Sequence, residues 1–287
     1  MIPAKQALLA ALAVLTLGYI GYWVRAVRRQ PDGFKGLRPA PLLLAIGAVT
    51  NFFDTLGIGS FAPTTSAFKL RRLVPDEKIP GTLNVGHTLP TIAQAFIFIA
   101  VVEVEITTLI GMIAAAVLGA WIGAGIVAGL PRRAVQIGMG FALLAAACFF
   151  AMTNLGLFPS GGNTVGLASP LLWIGLAGSF LLGALMSLGI GLYAPCMILV
   201  ALLGMNPQAA FPIMMGSCAF LMPVGSARFI RKHSYSPVPA FGLALGGLPA
   251  VFLAAFIVKS LPLTALRWIV VAVVAFTAAA MLRSAAE

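Results

Sequence analysis

Runs of about twenty mostly apolar residues recur along the whole chain, at about 6–24, 79–101, 106–130, 134–152, 208–227, 238–258 and 263–282. A helix of roughly 20 such residues crosses a hydrocarbon layer. Inside that layer every backbone N–H and C=O must find a partner within the protein, which for runs of this length selects the helix. The charge content agrees. Only 9% of the 287 residues are charged and 61% are hydrophobic, with a mean hydropathy of +1.05; soluble domains carry roughly 25% charged residues. The chain reads as an all-α polytopic membrane protein. The N-terminal run is long, its main positive charges follow it and no A-x-A site is evident, so it reads as a retained helix and not a cleaved signal.

Two further apolar regions, 39–73 and 169–204, are interrupted near their middles by almost the same eight residues, LGIGSFAP at 56–63 and LGIGLYAP at 188–195. Proline removes a helical hydrogen bond and glycine loosens the backbone. In lipid such a break is tolerated only where protein or a watery cavity satisfies it. The octapeptides belong to a longer correspondence. Pro63 pairs with Pro195, Pro75 with Pro207 and Pro80 with Pro212, all at an offset of 132, as do Gly57 and Gly59 with Gly189 and Gly191. Leu130-Pro131 matches Leu261-Pro262 at 131. The expected organisation is an N-terminal transmembrane helix and cytoplasmic linker (1–38), a first repeat (39–152), an extracytoplasmic linker (153–168) and a second repeat (169–287).

Basic residues set the sidedness. Arg25, Arg28, Arg29, Lys35 and Arg38 follow the first run, and a broken region 39–73 that returns to the same side adds Lys69, Arg71, Arg72 and Lys78. Alternate crossings add Arg132, Arg133, Arg228, Arg231, Lys232 and Arg283, so 15 of the 18 basic residues share one side. Lys5, Lys259 and Arg267 fall on the other. The positive-inside rule makes the rich side cytoplasmic, with the N-terminus outside and the C-terminus inside. The net charge of +11 then belongs to cytoplasmic loops and not to a nucleic-acid surface. Each half makes three full crossings, an odd number, so the second half is inverted. Inverted repeats with discontinuous helices, re-entrant or broken, in matching places are a plan of secondary transporters.

The two-half plan, the Gly-rich break ahead of a short Pro-containing helix and the following GTLN at 81–84 resemble the TauE/SafE sulfite exporter family of bacterial membrane proteins. The resemblance covers roughly residues 39–284 and leaves the first helix as an addition. Members often carry several glycines in a row at the first break, where this chain reads Asp54-Thr55-Leu56-Gly57-Ile58-Gly59. The resemblance implies export of sulfite, organosulfonates or related small anions across the inner membrane.

The short segments after each break open with a proline near the first turn, where its missing N–H costs nothing. Their free N–H groups and positive dipole ends make anion sites that need no charged side chain. The candidate substrate-binding residues are therefore Gly57, Gly59, Ser60, Phe61, Thr64, Thr65 and Asn84 in the first half. In the second they are Gly189, Gly191, Tyr193, Cys196 and Ser217. The plainer alternative is that the breaks only permit close packing. Asp54 stands on the first break, and an intramembrane carboxylate is a functional candidate by default. With His87, which can change charge near neutral pH, it forms the proton-coupling pair; the plainer roles are a helix cap and a donor to a backbone carbonyl. Gly119 and Gly123 read as helix packing, and Met214, Met215 and Met222 as core.

Cys148, Cys196 and Cys218 lie in apolar runs without CxxC or Cys/His spacing, so no metal and no cofactor is expected. The leading function is a secondary transporter for a small sulfur-containing anion, with the bilayer and the anion as partners and a homo-oligomer left open. A proton- or cation-coupled exchanger using Asp54 is the alternative. An intramembrane enzyme fits poorly, since neither HExxH nor GxSxG is present and His233 lies in a basic loop. The orientation is testable: a reporter fused after Glu287 should read cytoplasmic, and a cysteine placed within 155–165 should label from outside. Labelling of that loop only from the cytoplasm would overturn the inverted arrangement.

Overall fold

The computed structural model describes residues 4–30, 33–127, 129–157, 161–186, 192–257 and 263–286. Among them are eleven α-helices and no strand. They are α1 (Ala4–Arg28), α2 (Pro41–Thr55), α3 (Phe61–Arg71), α4 (Ile79–Val101), α5 (Ile106–Val127), α6 (Arg132–Asn154), α7 (Leu171–Met186), α8 (Tyr193–Leu202), α9 (Ala210–Arg231), α10 (Pro237–Ile257) and α11 (Leu263–Ala286). Six of these, α1, α4, α5, α6, α9 and α10, are long and apolar enough to cross a membrane. The chain is a polytopic membrane protein. Each of the two interrupted regions holds a pair of short helices, α2 with α3 and α7 with α8.

Burial ranks the helices. In the most apolar window of α9, 83% of residues are buried, and in that of α4 67%, against 17% for α1. Helices α4 and α9 therefore form the centre, while α1 lies along the outside against both. The contacts between the two sets of five helices repeat when the sets are exchanged. α2 packs on α10 as α7 packs on α5, α4 on α10 as α9 on α5, and α3 on α11 as α8 on α6. The remaining major pairs, α4 with α9 and α6 with α11, map onto themselves under the same exchange.

Glycine makes the closest of these crossings possible. In lipid there is no hydrophobic drive between helices, so contact must come from close fit, which small residues permit. A side chain on Gly119 would overlap the Phe180 carbonyl oxygen of α7, and one on Gly123 would meet the Ala184 backbone. From the other side, Gly183 lies on the Ala116 carbonyl of α5. The α2–α10 crossing is built alike, with Gly47 on the Leu243 backbone and Gly246 on the Leu44 carbonyl. Because the opposing atoms are backbone, the helices themselves would have to separate. Gly183→Leu and Gly246→Leu should each destabilise the fold by at least the roughly 1–3 kcal/mol typical of overpacking, read as a lower unfolding temperature in detergent. Wild-type unfolding of both variants would show that these crossings are loose.

Candidate functional site

The first break is shaped by backbone chemistry. Helix α2 ends as the N–H of Gly57 bonds the Asp54 carbonyl (2.9 Å) and that of Ile58 bonds the Phe53 carbonyl (3.2 Å). This is the two-bond helix end that needs a left-handed residue, and Gly57 supplies it at φ +85. Gly59 repeats the left-handed conformation at φ +87, and the chain then enters α3 with Ser60 at its N-cap. The last turn of α2 and the first of α3 are thereby turned onto the same space.

That space is a narrow cavity of about 10 Å³, room for little more than the centre of one water molecule. Asp54, Gly59, Ser60 and Phe61 line it from the first break, and Tyr193 and Leu192 from the start of α8. Met186 at the end of α7, Thr91 on α4, and Cys218 and Met222 on α9 complete the wall. Among the described residues no lysine or arginine lines it, and its one acidic residue is Asp54.

Asp54 is 2% exposed and sits in a network of amide and hydroxyl groups. The Gln94 amide nitrogen donates to Asp54 Oδ2 at 2.8 Å and to Thr55 Oγ1 at 3.0 Å. Gln94 Oε1 accepts from the Tyr193 hydroxyl at 2.7 Å, leaving that hydroxyl 3.4 Å from Asp54 Oδ2. The Ser60 hydroxyl and amide also face the carboxylate. Gln94 thus ties the end of α2 to the start of α8, a role the sequence reading missed. The signal was present. Asn84, His87, Thr88, Thr91 and Gln94 follow at three- and four-residue steps, a polar stripe on one face of an otherwise apolar span, and all are buried.

The other candidates separate into four groups. His87 and Thr64 are joined, with His87 Nε2 3.1 Å from Thr64 Oγ1 and Nδ1 3.1 Å from Asn51 Oδ1. Asn51 commits its amide nitrogen to the Gly47 carbonyl at 2.7 Å. Its Oδ1 therefore faces the ring, so Nδ1 carries the proton and Nε2 accepts from Thr64. No hydrogen bond joins His87 to Asp54, so the two coupling candidates occupy separate networks among the described residues. Thr65, Cys196 and Ser217 are buried near the cavity residues in sequence without lining it, and Thr65 Oγ1 has no hydrogen-bond partner. Gly57 lies against the Phe211 ring, and Asn84 donates to the Pro80 carbonyl of its own helix at 3.0 Å. Gly189 and Gly191 lie outside the described residues.

Comparison with known proteins adds one match. A family model described as "Sulfite exporter TauE/SafE" matches residues 1–150, from the N-terminus through α6. The match takes in α1, which the sequence reading placed outside the resemblance. No curated protein and no solved structure matches the chain.

The network makes a direct prediction. Gln94→Leu removes the one amide that bonds Asp54, Thr55 and Tyr193 together, leaving Tyr193 and Ser60 as the donors near Asp54, a loss of roughly 0.5–1.5 kcal/mol for each hydrogen bond. Its unfolding temperature in detergent should fall below that of the wild type; unchanged unfolding in Gln94→Leu would mean that the amide is not holding the site together.

Proposed function

Because the chain belongs to the TauE/SafE sulfite exporter family, we propose that it is a secondary transporter for a small sulfur-containing anion of the sulfite or organosulfonate class. Members of this family are membrane transporters and not enzymes. One observation carries the placement of the site: the starts of α3 and α8 open on the same small cavity. The first intrahelical bonds run from Thr64 N to the Ser60 carbonyl and from Cys196 N to the Leu192 carbonyl. Ahead of them, the N–H groups of Phe61 and Ala62 on α3, and of Tyr193 and Ala194 on α8, have no intrahelical acceptor. Pro63 and Pro195 occupy the third positions, where they have no N–H to lose. Two dipole ends would hold a small oxyanion weakly enough to let it go.

Asp54 gives this site its coupling. Two unit charges 4 Å apart repel by about 4 kcal/mol at an effective dielectric of 20, so an anion and a carboxylate do not share so small a space. The anion is admitted when Asp54 carries a proton and leaves as the proton leaves. His87, bonded to Thr64 and Asn51, steadies α3 against α4 in this scheme. The exchange of helix contacts between the two sets of five helices supports inverted repeats at 39–152 and 169–287. The charge distribution supports an inner-membrane orientation with the N-terminus outside.

In proteoliposomes, uptake of labelled sulfite should respond to an imposed pH gradient. Asp54→Asn, which keeps the side chain's shape without its titration, should abolish that response while sulfite still protects or shifts the purified protein on binding. Unchanged pH-driven uptake in a well-folded Asp54→Asn protein would remove the carboxylate from the mechanism. Absence of sulfite binding in the wild type would remove the substrate class.

A further inference from the structure

Where α1 ends, it meets the turn between α9 and α10 around a second cavity of about 660 Å³ that is open on one side. Arg25 and Arg29 enter it from α1, and Arg231 and His233 from the end of α9. Tyr22, Arg25 and Arg29 lie three and four residues apart and so share one helix face. None of the three guanidiniums has a carboxylate within ion-pair distance among the described residues; the ion pair found there joins Lys69 to Asp76. His233 takes the left-handed conformation, φ 53, just past α9, where glycine is the usual residue. A conformation disfavoured for a side chain is thus kept at a place that brings an imidazole to the arginines. Planar guanidinium forks in such a cluster match the oxygens of a phosphate.

The same face of α1 continues away from Arg25 through Gly21, Gly18 and Val14, at steps of four, three and four residues. No atom lies within 4 Å of where a side chain on either glycine would stand, and Val14 is 71% exposed. On a helix with so little burial, this is a furrow in a lipid-facing surface that runs up to a basic cavity. A free phosphate has no use for the furrow. A phosphate with an acyl chain attached fits both. We propose that this is a binding site for an anionic phospholipid, with its headgroup phosphate among Arg25, Arg29 and Arg231 and an acyl chain along Gly18 and Gly21.

The test uses the full chain in detergent, with native mass spectrometry after addition of phosphatidylglycerol, phosphatidylcholine or inorganic phosphate. The wild type should retain phosphatidylglycerol in preference to phosphatidylcholine. Arg25→Gln/Arg29→Gln/Arg231→Gln should weaken that retention by roughly a hundredfold. Arg38→Gln/Arg71→Gln/Arg72→Gln, with the same loss of charge outside the cavity, should keep it. Gly18→Leu/Gly21→Leu puts its new Cβ atoms into open space, so it should fold as a monodisperse protein and lose the lipid. Equal loss in the two triple variants would reduce the effect to bulk charge and overturn the site. Retention of inorganic phosphate as tight as that of the lipid, with no effect of the glycine variant, would overturn the lipid assignment.

Discussion

A backbone that stops being helical inside hydrocarbon must still have its polar groups satisfied, and the rest of this structure is arranged around that requirement. At the first break, Gly57 and Ile58 return their N–H groups to the end of α2, which settles one side of the gap. Protein on every flank settles the other. The helices that supply it, α4 and α9, are the most buried of the bundle and carry much of its buried polar chemistry. The central pair can be polar because it is sealed from lipid by α2 with α10 and by α5 with α7, and that seal is close because its contacts are glycine on backbone. Helix packing at the rim thus decides how polar the middle is allowed to be.

Much of this was legible in the residues. The run 79–101 coincides with α4, and the proline-bounded run 238–258 falls within one residue of α10 at each end. The two interrupted regions each hold two short helices, and at the first the left-handed Gly57 and Gly59 turn the chain between them. The reading of Gly119 and Gly123 as packing positions agrees with their contacts to α7. Where apolar residues ran on without punctuation, limits were poorer: 106–130 overshoots the end of α5 at Val127.

The site was less legible than the fold. Asp54 stood out because a carboxylate in an apolar run is conspicuous by itself. Gln94 did not, since an amide gains its meaning from what stands across from it, here Asp54 forty residues back and Tyr193 ninety-nine residues ahead. Asn84 looked equally polar and equally placed, and its amide nitrogen bonds the carbonyl of Pro80 one turn earlier. Met222, read as core, is fully buried in it and also lines the cavity. A single strand of letters records which residues are polar but not which neighbours the fold will bring to them.

The Tyr193 hydroxyl has one proton and two acceptors within reach, Gln94 Oε1 at 2.7 Å and Asp54 Oδ2 at 3.4 Å. It cannot serve both. With the hydrogen on Gln94, the phenol oxygen still offers lone pairs, and a protonated Asp54 becomes a donor able to use them. Under the proposed coupling, the direction of hydrogen bonding across these three side chains would record one event, the arrival or departure of a single proton. The phenol C–O vibration, which is sensitive to whether the oxygen donates or also accepts, is a built-in gauge of that record, readable by infrared difference spectroscopy without any label.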